Sequence, residues 1–250
     1  MTKRIFLAGG FGKMGLAIQN QLDQEADLEL VGILAHSNQT SDVTVPVFTA
    51  LDDINVTADI WVDVTIPDVA FENGQYALEH GFDLIVGTSG LADEAIEQLK
   101  HIAVKNNRHA LIVPNFSLSA VLLMQFAEQA AKYFPDVEIL EIHNAKKRDS
   151  PSGTAKSTAS RIAAVRLAEP EAIWYDNQSA RGSKIDNVPV HAMRLPGYVA
   201  EEEVIFGAPG ETLRLKQTSF SRDSFMGGVI QAIEHVAEID GLVVGLEHVL

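Results

Sequence analysis

The feature that most restricts this chain is a junction near its first residues, where the short apolar run RIFLA (4–8) passes directly into GGFGKMG (9–15). An apolar run that short, closed by glycine, reads as a buried strand. The glycines fit two registers: Gly10, Gly12 and Gly15 satisfy G-x-G-x-x-G, while Gly9, Gly12 and Gly15 satisfy G-x-x-G-x-x-G. Either register supplies a tight turn, a backbone bare enough for a pyrophosphate to approach, and close helix–strand packing. A helix predicted over 12–22, with Met14, Ile18 and Leu22 on one face, would aim its free N–H groups and positive dipole end at the anion. Alone, such a motif is an ordinary glycine-rich turn; a strand before it and a helix after it make it a dinucleotide site. Gly9, Gly10, Phe11, Gly12, Lys13, Met14 and Gly15 are therefore the first cofactor candidates, with Lys13 able to pair with a phosphate.

The pattern that follows extends this reading. Strands are expected over 28–34, 59–66, 82–87 and 109–114, with helices over 69–80 and 91–106. That alternation implies a parallel sheet covered on both faces, a Rossmann-like doubly wound α/β domain. An Asp or Glu usually ends the second strand and selects NAD by holding the ribose hydroxyls. Here Ala35, His36, Ser37 and Asn38 stand instead. Nothing at that strand end repels a 2′-phosphate, so NADPH is expected to be accepted alongside NADH, with Ala35 and His36 at the ribose. Two further strand ends, carrying Thr65 and the stretch Gly87-Thr88-Ser89-Gly90, should border the same crevice, because ligands lie outside the carboxyl ends of such strands.

The pattern changes after residue 115. A helix is predicted over 119–133, a strand over 137–143, and a helix beginning near Ser150, with Ser150 and Pro151 as N-cap and first-turn pair. Residues 174–189 look like a long polar loop, and three strand-like runs follow at 190–195, 198–206 and 211–220, divided by Pro-Gly turns. Neighbouring strands of this kind belong to a mixed or antiparallel sheet, hence to a second, α+β domain. A last helix over 223–239 could return to either domain.

Charge narrows the function. Lys and Arg total 19 against 34 Asp and Glu, a formal charge of −15, so nucleic acid and anionic membrane surfaces are poor partners. There are no cysteines, which removes disulfides, thiol nucleophiles and Cys-held metals together; nothing in the motifs calls for a metal. The first apolar run is too short for a signal-peptide core and no later run reaches membrane-spanning length, so a soluble, cytoplasmic protein is expected.

Against that acidic background, EIHNAKKRDSPSGTA (141–155) concentrates His143, Lys146, Lys147 and Arg148 just before a helix start. A lysine beside a helix N-terminus is a good receptor for carboxylate, and a histidine can give or take a proton near neutrality. Taken alone, the segment also reads as a capped helix after a basic turn.

Its residues carry a resemblance. HNAKKRDSPSGTA is similar to the substrate segment of the dihydrodipicolinate reductases, approximately H-H-x-x-K-x-D-A-P-S-G-T-A. LAGGFGKMG resembles that family's cofactor loop, VDVTIPD its D-F-T-x-P, VGTSG its G-T-T-G and PNFSLSA its A-N-F-S. RLPGYVAEEEVIFG and SRDSFMGGV resemble its closing blocks. Asn144 stands where the family pairs a second histidine, Ser119 and Val121 where glycine and asparagine are more usual, Ile66 where some members carry arginine, and Ser89 for a threonine.

The resemblance implies a dinucleotide-binding domain of residues 1–116 plus 221–250 and a substrate-binding, oligomerisation domain of residues 117–220, closing over their two ligands in a homotetramer. It adds Pro114, Asn115 and Phe116 to the cofactor candidates. It implies reduction of a cyclic dicarboxylate of lysine and diaminopimelate synthesis by NADPH or NADH. His143 would be the acid and Lys147 its cationic partner, with Asn144, Lys147, Ser152, Gly153 and Thr154 on the carboxylates. A paralogous reductase of another imine or carbonyl acid, which Asn144 favours, and a non-enzymatic NADPH sensor are the other readings.

Overall fold

The computed structural model describes residues 2–37, 43–168, 170 and 179–250. In chain order the first elements are β1 (Lys3–Ala8), α1 (Lys13–Leu22), β2 (Leu28–Leu34), β3 (Val47–Phe48), β4 (Ile60–Asp63), α2 (Pro67–Glu79), β5 (Asp83–Val86), α3 (Asp93–Asn106) and β6 (Ala110–Ile112). Then come α4 (Leu118–Ala131), β7 (Asp136–His143), α5 (Gly153–Val165), β8 (Ser183–Ile185), β9 (Val188–Arg194), β10 (Ala200–Ala208), β11 (Glu211–Ser219), α6 (Met226–His235) and β12 (Leu242–Val244). Contacts divide them into two compact units, Met1–Phe116 with Phe225–Leu250, and Ser117–Ser224.

The first unit is built on a seven-stranded sheet in the order β12-β6-β5-β4-β1-β2-β3, with every neighbouring pair parallel. Reversal of strand order at β1 places a crevice outside its carboxyl end, where the glycine turn lies. The strands are apolar on both faces, as full burial requires. Phe6 stacks on Trp61 with ring centroids 4.4 Å apart, and Phe82 meets the same indole edge-on. The C-terminal stretch belongs to this unit through β12, which pairs with β6. A three-residue strand is too short to show as a periodic run, and β12 and β3 had no sequence signal.

The second unit carries a five-stranded mixed sheet, β11-β10-β7-β9-β8, parallel only between β7 and β9. Val137 and Ile139 of β7 pack with Leu123 and Ala127 of α4 and with Ala155, Ala159 and Ile162 of α5 into one core. Part of the expected 174–189 loop is strand. Asp186 and Asn187, with φ of 47° and 64°, turn β8 directly into β9. Two consecutive left-handed residues are what a two-residue hairpin needs; residues 174–178 lie outside the described residues, as does Asn38.

The start of α5 also differs from expectation. Its N-cap is Ser152, whose Oγ accepts from the Ala155 amide at 3.1 Å, and Ser150 and Pro151 precede the helix. The reason is local. The Ser152 amide donates to Glu141 and the Asp149 carbonyl accepts from Arg194, which keeps this approach out of the helix until Ser152. Among the described residues, no helix is long and apolar enough to cross a membrane.

Candidate active site

In the first unit the chain turns sharply between β1 and α1. Gly9 adopts φ +83°, and a Cβ there would lie 2.8 Å from the Val64 carbonyl oxygen. Gly15 packs α1 against the turn so tightly that a Cβ would sit 2.3 Å from the Gly9 oxygen. Gly12 is different: it is exposed, its backbone is ordinary extended chain, and it is the helix N-cap with no side-chain cap. An uncapped helix start behind a bare glycine is suited to a diphosphate, because the anion supplies the acceptors that the protein withholds.

A cleft of about 820 Å³ opens beside this turn. It gathers Gly9, Phe11, Gly12, Ala35, His36 and Thr65 from the sequence-predicted set and Ile66 of the VDVTIPD segment, together with Leu51, Glu72 and Asn73, which had no motif to mark them. Gly10 and Gly15 sit behind the turn as packing positions, and Lys13 and Met14 begin α1 without lining the cleft. Gly87 is fixed by packing, since a Cβ there would be 2.4 Å from the ring of buried Phe116. Pro114 is exposed and Asn115 half-buried on the chain leading to that ring.

The organiser of the strand ends is Asp63, the last residue of β4 and wholly buried. Its Oδ1 accepts from the Thr65 amide at 3.0 Å, the Thr65 hydroxyl at 2.6 Å and the Thr88 hydroxyl at 3.0 Å; its Oδ2 accepts from Asn73 at 2.8 Å. Both threonines thus donate inward, which leaves only lone pairs for any ligand. For Thr88, which is buried, the hydroxyl works as a brace of the turn.

The second unit has its own buried carboxylate, and all its donors but one amide belong to titratable or charged side chains. Glu141 on β7 takes Nδ1 of His143 at 2.5 Å and Nη1 of Arg194 at 2.8 Å on Oε2. Its Oε1 accepts from Nη2 of Arg194 at 2.8 Å and from the Ser152 amide at 3.0 Å. Burial would push this carboxyl up, but the His143, Arg194 and Ser152 hydrogen bonds outweigh it and hold the pKa at about 2. The two-pronged guanidinium contact is the strong form of such a pair.

Glu202 lies directly across from Glu141 on β10, also buried. Burial raises its pKa to about 7 against a bond from Thr158, and the charge of Glu141 adds to the rise. The Thr158 hydroxyl donates to Oε1 of Glu202 at 2.5 Å and lies 3.0 Å from the Thr154 carbonyl. Its one proton is shared between two acceptors, so burial stays the larger influence on Glu202.

His143 and Lys147 lie on either side of a tight turn. The Asn144 side-chain oxygen accepts from the Lys146 amide at 3.1 Å and its carbonyl from the Lys147 amide at 3.0 Å, which leaves its side-chain NH2 for a ligand. Lys147 donates to Asp149 at 2.9 Å and holds that carboxyl below its usual range. The pair is solvent-exposed enough to contribute only about 0–1 kcal/mol, so Lys147 can exchange Asp149 for a bound anion at little cost. Ser152 is buried with its amide engaged by Glu141, whereas Gly153 is exposed at the first residue of α5.

A parallel sheet of this order with a glycine turn at its first strand defines a dinucleotide-binding domain of the Rossmann-like class. The family described as dihydrodipicolinate reductase matches nearly the whole chain, its N-terminal part over residues 3–116 and its C-terminal part over residues 119–250. The chain belongs to the dihydrodipicolinate reductase family. Two proteins named 4-hydroxy-tetrahydrodipicolinate reductase are similar to it throughout. That of Lactiplantibacillus plantarum is 45% identical, with 99% of each chain covered. That of Streptococcus gordonii is 46% identical, with 100% of each covered. The dipicolinate-bound dihydrodipicolinate reductase of Paenisporosarcina sp. TG-14 superposes with a TM-score of 0.91 at 38% identity over 100% of both chains. A Lactobacillus casei scyllo-inositol dehydrogenase, at 12% identity and a TM-score of 0.67 over 100% of this chain and 93% of that one, shares the fold alone.

Proposed function

We propose that this chain reduces 4-hydroxy-tetrahydrodipicolinate to tetrahydrodipicolinate in lysine and diaminopimelate synthesis, using NADPH or NADH. The observation that carries the reading is the segment from His143 to Thr154. An acid–base group, an exchangeable lysine and a helix start stand together in it, within a family whose solved member binds dipicolinate, a ring with two carboxylates.

The substrate loses its hydroxyl as water while gaining a hydride and a proton, so the site must deliver a proton and tolerate negative charge. Bound reduced nicotinamide supplies the hydride. His143 is the acid, and Lys147 stabilises the electron density that builds up in the ring system. Lys147, the Asn144 amide, Ser152, Gly153 and Thr154 receive the carboxylates at the positive end of α5.

The cofactor fits the first unit. Gly9, Gly10, Phe11, Gly12, Lys13, Met14 and Gly15 form its diphosphate turn, and Ala35 and His36 face the ribose. Thr65, Pro114 and Asn115 border the nicotinamide end, with Gly87, Thr88 and Phe116 packed behind them to fix its shape. Acceptance of NADPH is supported by Ala35, which puts a methyl group where an acid would repel the 2′-phosphate. A cytoplasmic homotetramer is the assembly the family implies. The test is consumption of NADPH and of NADH with enzymatically generated substrate. Turnover with either supports the reading, and absence of turnover with both contradicts it.

A further inference from the structure

Glu141 and His143 are two residues apart on β7, so both side chains leave the same face of the strand. That face continues Val137 and Ile139, which are core residues. A carboxylate wholly buried at the end of an apolar row persists only when every lone-pair direction has a donor. Here the donors join three separate elements: His143 on the same strand, Arg194 at the end of β9, and the Ser152 amide at the start of α5. Arg194 extends the set by donating to the Asp149 carbonyl at 2.7 Å, which fixes the chain between Lys147 and the helix.

Two consequences are chemical. An ionised carboxylate only accepts, so the proton between Glu141 and His143 belongs to Nδ1 of the imidazole. Nε2 is then the nitrogen left to carry a transferable proton, and Glu141 carries the counter-charge when both nitrogens are protonated. The second consequence is metric. The carboxylate oxygen that accepts from Ser152 and the one that accepts from His143 belong to the same group, so the proton donor and the anion-receiving helix start cannot drift apart.

We propose that Glu141 is a positioning residue of the reduction, locking His143 in its Nδ1–H form with Nε2 as the proton-transferring atom, and clamping Ser152 and the start of α5 at a fixed offset from it. This rests on the assignment of His143 as the acid. The other groups facing Glu141 fit the role. Arg194 supplies a permanent positive charge from β9. Glu202 faces it from β10, where burial raises its pKa to about 7 and so disfavours a second buried negative charge beside Glu141. The exposed Lys147–Asp149 pair is balanced within itself.

The experiment combines nitrogen NMR of 15N-histidine-labelled protein with steady-state kinetics of wild type, Glu141→Gln, Glu141→Asp and His143→Ala. Wild-type His143 is expected as a single Nδ1–H tautomer when neutral. Glu141→Gln is expected to mix tautomers, because the amide can accept from Nδ1–H or donate to bare Nδ1. Its kcat should fall at least about tenfold, with the KM for NADPH unchanged. Glu141→Asp keeps the charge and serves if the glutamine variant does not fold; it should retain the Nδ1–H tautomer and still lose kcat through its shorter reach. A wild-type Nε2–H tautomer, or wild-type kcat in whichever of the two Glu141 variants folds, overturns the proposal. If His143→Ala is crippled while the Glu141 variants are normal, only this proposal falls. Normal turnover by His143→Ala removes the acid assignment and this proposal together.

Discussion

Each unit closes its strand ends around one fully buried carboxylate, Asp63 in the first and Glu141 in the second, yet the two are built from opposite materials. Asp63 is held by two hydroxyls, a backbone amide and a side-chain amide, all neutral. Glu141 is held by a guanidinium fork, an imidazole and one backbone amide. The difference matches what each site has to do. A dinucleotide brings its own charge and needs shaped backbone and a helix end, so the nearby side chains serve as braces. A reaction that moves a proton needs titratable groups whose charge states are set in advance, and these require ionic partners.

If the first site works by shape, its largest sensitivity is steric. Gly15→Ala should destabilise the protein by about 1–3 kcal/mol, since the new Cβ meets backbone rather than a side chain that can yield. Thermal melts check this. Gly12→Val, at an extended and exposed position where a Cβ meets only the Gly9 oxygen at 3.3 Å, should stay folded and melt closer to wild type than Gly15→Ala, but bind NADPH at least about tenfold more weakly by calorimetric titration, because the pyrophosphate loses its close approach. Equal melting of wild type and Gly15→Ala, or unchanged NADPH affinity in Gly12→Val, would erase the contrast.

The second site should respond to pH through its charges. Glu202 has a folded pKa of about 7, above its ordinary value of 4.5. The stability it contributes is present below pH 4.5 and is lost as pH rises through 7, because the unfolded chain releases that proton first. Glu141 runs the other way: its contribution is present above 4.5 and is lost as pH falls towards 2. Between pH 5 and 8 Glu141 stays ionised, and the comparison with Glu202→Gln cancels the other titrating groups. The melting temperature of wild type should decline relative to Glu202→Gln across that window, and parallel curves would contradict a protonated Glu202.

The smallest expected effect comes from placing a charge in the neutral site. Ala35→Asp should shift cofactor preference from NADPH towards NADH by repelling the 2′-phosphate, read as the ratio of kcat/KM for the two. No change in the ratio would mean that the ribose is recognised elsewhere in the cleft, whose wall carries an acid at Glu72.

Much of this was legible from local pattern. The run LELVGIL is β2 from end to end, and the glycine turn sits where its strand and helix require. Elements were misjudged where a side chain overrode the pattern. The apolar run 59–66 yields a strand of only Ile60–Asp63, because Asp63 captures the Thr65 amide and turns the chain. The helix expected from Ser150 begins at Gly153 for the similar reason that Glu141 and Arg194 hold its approach.

In the site, His143 and Lys147 stood out as basic residues in an acidic chain. Arg194 did not, since its partner Glu141 is 53 residues away in sequence and only sheet pairing brings them together. Glu202 was hidden in a run of three glutamates. Strand alternation sends Glu201 and Glu203 to Lys216 and Arg214 while Glu202 turns inward. Partnerships made by sheet pairing carry no local signal.

The claim that the basic turn of the second unit performs the chemistry is tested most directly by steady-state reduction of 4-hydroxy-tetrahydrodipicolinate across pH by wild type, Lys147→Ala and His143→Ala. Lys147→Ala should lose at least about tenfold in kcat with NADPH affinity barely changed. His143→Ala should also lose turnover, and its pH dependence near neutrality should flatten. Near-normal kcat in both variants, with the wild-type pH profile intact, would show that residues 143–154 are a capped turn and that the reaction is carried out elsewhere.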